Sequence, residues 1–164
     1  MTSGRFRFPT FALTFSGVLL IASGCGGYSQ GCIDCPPIEG RYGLALDPGT
    51  LPSACDGVQV DLPVGPIDFS RQGSDVTATL DRMTLRGTLY ATYDFNLLGN
   101  NLGQEMDGGT RGPDSALLSG RYIPAIGDGG IPRLVGDWQG NYSSTTAGNT
   151  RRCSVTRSFT AAHQ

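Results

Sequence analysis

The sequence predicts an all-β fold, an antiparallel up-and-down meander of about eight strands that closes into a small barrel. Three observations carry this reading. Apolar side chains recur at every second position between Tyr42 and Ala161, the period of a strand with one face buried. No comparable stretch shows helical spacing, and two Glu with no Lys give a helix little support. Gly, Pro and Asp separate the alternating runs at short intervals. A β-sandwich is the alternative architecture.

Taken in order, Tyr42, Leu44 and Leu46 share a face, and Asp47-Pro48-Gly49 ends that strand. Val58, Val60 and Leu62 form the next, stopped by Pro63. Ile67 and Phe69 precede the turn Gln72-Gly73-Ser74-Asp75, and Val76, Ala78 and Leu80 follow it. The longest run places Leu85, Gly87, Leu89, Ala91, Tyr93 and Phe95 on one face of a single strand. The Gly-, Asn- and Asp-rich segment from Leu98 to Ser115 reads as a long loop. Strands resume over 117–123, 134–142 and 153–161.

A Gly two places before an aromatic recurs in Gly40-Arg41-Tyr42, Gly120-Arg121-Tyr122, Gly136-Asp137-Trp138 and Gly140-Asn141-Tyr142. In a strand both lie on one face, and the Gly leaves room for a ring from a neighbouring strand. A ring-lined ligand platform is the other use of such rings. In architecture alone this layout resembles small lipocalin-like barrels. That family carries Gly-x-Trp near the start of its barrel, whereas Gly136-Asp137-Trp138 stands near the end here, so the resemblance implies no ligand residues.

The first residues have a different character. Arg5 and Arg7 precede an apolar stretch from Phe11 to Ala22, followed by the small residues Ser23 and Gly24 and then Cys25. This is the three-part layout of a secretory signal, and about twelve apolar residues fall short of the roughly 20 that a membrane span needs. The segment Ile21-Ala22-Ser23-Gly24-Cys25 resembles the lipobox of bacterial lipoproteins. The resemblance implies cleavage before Cys25, a diacylglycerol on its thiol and acylation (palmitate) of the new amino terminus. Ordinary signal-peptidase cleavage after Gly24 is the alternative. Gly26-Gly27, in place of an Asp, implies by the same resemblance an outer-membrane address. The expected organisation is a signal peptide at 1–24, a flexible Gly/Ser/Pro-rich tether at 25–38 and a barrel domain at 39–164.

Beyond Cys25 there are four cysteines, an even number suited to an oxidising compartment. Three connectivities are open, and the expected one is Cys55–Cys153 with Cys32–Cys35 closing a small loop. Cys32-Ile33-Asp34-Cys35 precedes Pro36-Pro37 and not a helix, which argues against a thioredoxin-type redox site. A four-Cys zinc site lacks its second close pair.

Past residue 24, ten Arg face fourteen acidic residues, a net charge of −4, with no basic cluster among aromatics. Nucleic acid is therefore not expected as a partner. The single His, His163, is read as lying on a frayed end, a poor place for a general base. No Gly-x-Ser-x-Gly elbow occurs. Most Asp occupy turn positions, among them Asp47, Asp75, Asp107, Asp114 and Asp128. Glu105, Asp107 and Asp114 crowd the long loop, in an order that matches no calcium-binding repeat. No catalytic residue, metal or cofactor is assigned on this basis.

Arg157 stands out, because Cys153, Val155 and Phe159 share its strand face and point inward. With Trp138 on the preceding strand, it could cover the indole as a cation–π pair or present its guanidinium to an anionic ligand. The expected function is a membrane-anchored envelope lipoprotein whose non-enzymatic barrel binds a small apolar or amphipathic ligand or a protein partner. A hydrolase with a carboxylate-based site is the alternative.

Overall fold

A computed structural model describes residues 32–81, 83–101, 112–127 and 129–164. Eight antiparallel strands close in sequence order into a barrel: β1 Gly40–Leu46, β2 Pro66–Gln72, β3 Asp75–Leu80, β4 Met83–Leu89, β5 Asp94–Asn100, β6 Ser115–Ile123, β7 Arg133–Thr146 and β8 Asn149–His163. β1 completes the ring against β8, from Tyr42 opposite His163 to Leu46 opposite Phe159. The expected fold class is what the chain adopts.

Tight turns explain why neighbours in sequence are neighbours in space. β2 and β3 are joined by Gly73-Ser74, with Gly73 at φ 63°. β7 and β8 are joined by Ala147-Gly148, at φ 48° and 81°, the twist a two-residue hairpin favours. Along each strand buried and accessible residues alternate: in β3 Val76, Ala78 and Leu80 point inward while Asp75, Thr77 and Thr79 point out. Apolar inside and polar outside is the reverse of a transmembrane barrel. Among the described residues no helix is long and apolar enough to cross a membrane.

The interior is built in rows across the wall. Phe95, Gly120, Gly136 and Phe159 stand opposite one another in turn on β5 to β8. A Cβ on Gly120 would sit 2.9 Å from the Phe95 ring and 3.3 Å from that of Phe159, so both rings lean into the space the glycine leaves. A Cβ on Gly136 would collide with the Ser119 carbonyl and come within 2.5 Å of Gly120 Cα. The next row is Leu97, Leu118, Trp138 and Arg157. Leu85, Leu97, Leu118 and Leu134 are fully buried in the same cluster, and Trp138 is 1% exposed.

Two strand readings need correction. Val58, Val60 and Leu62 lie in the link between β1 and β2, beyond a single 3-10 turn at Ser53–Cys55, and form no strand. Their alternation serves a packing cluster instead, described below. The run from Leu85 to Phe95 is two strands, because the chain reverses over Tyr90–Tyr93 with the Tyr93 amide bonded to the Tyr90 carbonyl at 2.9 Å. The long loop is also shorter than expected, since β5 runs on to Asn100 and β6 begins at Ser115. The folded unit reaches back to Cys32, which is 7% exposed, so Cys32, Pro36 and Ile38 are buried in a stretch that was expected to be tether.

Candidate functional site

A segment packs at each mouth of the barrel and each carries a disulfide, one closing a loop within its own segment and the other tying its segment to β8. At the first mouth, where β1 begins and β8 ends, residues 32–39 lie across the opening. The Cys32 amide donates to the Leu89 carbonyl at 3.2 Å, Ile38 is fully buried, and Cys32–Cys35 closes the loop with Cα atoms 5.1 Å apart. Glu39 pairs with Arg71 at 2.8 Å, and Arg71 also donates to the Gly73 carbonyl at 3.0 Å. Beneath this cover the Tyr42 ring meets His163 edge-on at 5.0 Å and Phe69 at 5.6 Å. The Tyr42 hydroxyl is buried without a hydrogen-bond partner among the described residues, and burial drives its pKa well above the usual phenol range.

His163 is thus not on a frayed end. It is the last residue of β8, opposite Tyr42, and its amide donates to the Pro132 carbonyl at 3.0 Å. Its ring stacks where an extended C-terminus would have left it in water.

At the second mouth, residues 47–65 fold over the inner face of the β7–β8 hairpin, which projects beyond its neighbours. Cys55–Cys153 fastens them, Cα atoms again 5.1 Å apart. Val58 packs with Tyr142, Cys153 and Val155, and Val60 and Leu62 pack against that group. The Tyr142 hydroxyl donates to the Asp61 carbonyl at 3.1 Å, and Arg151 donates to the Asp56 carbonyl at 3.0 Å. Burial, the largest influence, pushes Tyr142 up to about 12. The Trp138 indole counters this in part, and the Asp61 charge adds to it. The indole N–H itself is buried and makes no well-aligned hydrogen bond among the described residues.

Arg157 stands opposite Trp138, as its phase implied. Its guanidinium is engaged elsewhere: Nη2 donates to the carbonyls of Gly49 at 3.1 Å and Thr50 at 2.8 Å, and Nη1 to that of Thr156 at 2.9 Å. The residue fastens the start of the cover through backbone carbonyls. No cation–π pair with Trp138 is formed among the described residues, because a planar fork of donors aligns better with carbonyls than with a ring face. Arg71 was missed, although it shares the inward phase of Ile67 and Phe69, the same signal that singled out Arg157.

Both expected disulfides are therefore present. Cys25, Glu105, Asp107 and Asp128 lie outside the described residues. Asp114 borders an open groove with Asn141, Ser143 and Arg152. Among the described residues no acid is fully buried, and no three His, Cys, Asp or Glu side chains come together as metal ligands would.

Fold and site together define a closed eight-stranded up-and-down barrel with an apolar core and a segment packed at each end, one of them tied to β8 by a disulfide. Comparison with protein-family models, with curated proteins and with solved structures finds no match for this chain.

Proposed function

We propose that the chain is an exported envelope lipoprotein, anchored to the outer membrane through lipid on Cys25, whose barrel binds a protein partner on its outer surface without catalysis. One observation carries the choice of an outer surface over an enclosed ligand. Trp138, the leucines and the phenylalanines pack into one core inside the barrel, and the segments 32–39 and 47–65 pack at its two mouths. A lipocalin-type use would call for an open cavity of some hundreds of Å³. Two disulfides accord with an oxidising compartment, and the basic, apolar and small-residue order of residues 1–25 accords with export.

Metabolic labelling with palmitate tests the anchor. Wild type should carry label in the membrane fraction and Cys25→Ser should lose it; equal label in both would refute the anchor. A fluorescent fatty acid tests the interior. It should show no saturable binding and no quenching of Trp138, and stoichiometric quenching would return the ligand-binding reading.

A further inference from the structure

Large apolar side chains stand in water at the first mouth. Ile33 is 96% exposed, Ile126 88%, Ile131 64% and Tyr93 39%. They come from three separate segments of that rim. Ile33 is on the disulfide loop bonded to Leu89, Tyr93 is on the β4–β5 turn, and Ile126 and Ile131 are on the β6–β7 link. The other exposed large apolar residues, Leu51, Val64 and Leu98, lie toward the opposite end.

The length of chain ahead of the barrel says what covers this rim. Cys25 and Cys32 are seven residues apart, at most about 25 Å of extended chain. A lipid on Cys25 would hold the first mouth beside the bilayer, while the β7–β8 turn lies about 50 Å away along the fifteen residues of β8. Charge among the described side chains of this end is balanced: Glu39–Arg71 and Asp94–Arg121 each pair opposite signs, and the exposed Asp34 and Asp75 are matched in number by Arg41 and Arg133.

We propose that the first mouth docks on the bilayer to which the chain is tethered. Ile33, Ile126 and Ile131 enter the boundary between headgroups and acyl chains, and Tyr93 lies at headgroup level. The barrel then stands upright with its long hairpin directed away from the membrane. This inference rests on the lipid-anchor reading, but the isoleucines would favour the interface in any case.

The test uses the full-length protein with phosphatidylcholine and phosphatidylglycerol vesicles whose acyl chains carry bromine, a contact quencher of indole. Two reporters are compared, Ile126→Trp at the docked rim and Val64→Trp at the far end, both at exposed positions where the fold tolerates a ring. The added emission of Ile126→Trp should shift to the blue and be mostly quenched, while that of Val64→Trp is retained. Adding Ile33→Ser and Ile131→Ser should reduce the quenching severalfold without changing flotation. Equal quenching of the two reporters would overturn the docking. Palmitate labelling and flotation of the same samples read the anchor separately. A labelled, floating protein with an unquenched Ile126→Trp sinks the docking and leaves the anchor standing. An unlabelled protein that shows the quenching when vesicles are added keeps the docking and sinks the anchor, and one that shows none overturns both.

Discussion

Replacing both Cys55 and Cys153 by Ala removes a crosslink between residues 98 positions apart without leaving a lone thiol. Chain-entropy reasoning assigns about 4.7 kcal/mol to closing a loop of that length, and measured gains run nearer 2–4 kcal/mol. The structure sets where in that range the loss falls. The cover at 47–65 keeps the Tyr142, Arg151 and Arg157 hydrogen bonds and the Val58 packing, so the native state changes little and the cost arises in the unfolded chain. A loss of about 3 kcal/mol should lower the melting temperature by roughly 10–15 °C for a domain of this size. Calorimetry of wild type and double variant in non-reducing buffer measures it directly. The Tyr142 pKa should stay raised in the variant, showing that the cover is still seated. A melting temperature within about 3 °C of wild type would refute the reasoning.

Gly136→Ala should be among the worst single changes. Its Cβ meets the backbone of β6, which cannot rotate away, so strands must separate at a cost of at least about 2–4 kcal/mol, readable as lost soluble yield or a lower denaturation midpoint. Arg157→Ala should cost about 1–2 kcal/mol and speed hydrogen exchange at the Val58 amide; unchanged exchange there would contradict its fastening role. Tyr142 and Tyr42 have raised folded pKa values, so their stabilisation is complete below pH ~10 and is lost as pH climbs through about 12. Tyrosinate absorbance should therefore show a late phase that coincides with unfolding, and ionisation of every Tyr near pH ~10 in a folded protein would disprove it.

The barrel was legible because inward side chains are apolar at every second position and the turns at Gly73 and Gly148 carry their own signals. Two elements were not, and each for a definite reason. The turn at Tyr90–Tyr93 contains no Gly, Pro or Asn, and a Tyr supplies the left-handed residue at φ 69°. It also preserves the alternating phase, with Leu89 and Phe95 both inward, so the sequence runs through it without a break. Val58, Val60 and Leu62 imitate a strand because one side of an extended loop also needs apolar residues when it lies on a hairpin. Arg157 was correctly phased, but two of its acceptors are backbone carbonyls more than a hundred residues away, and carbonyls have no sequence identity. The first cover was obscured by its neighbours in sequence, since Pro36-Pro37 following the Gly- and Ser-containing residues 26–31 reads as one continuous tether.

Closure between β1 and β8 has a consequence for the order of events in folding. The earliest strand finds its second partner only in the latest one, and Cys55 waits equally long for Cys153. Hairpins such as β2–β3 can form early, but the ring closes only when β8 pairs with β1. Such non-local closure slows folding. A polypeptide that cannot complete itself prematurely remains threadable along its whole length, and once shut it has no free sheet end on which another copy could begin.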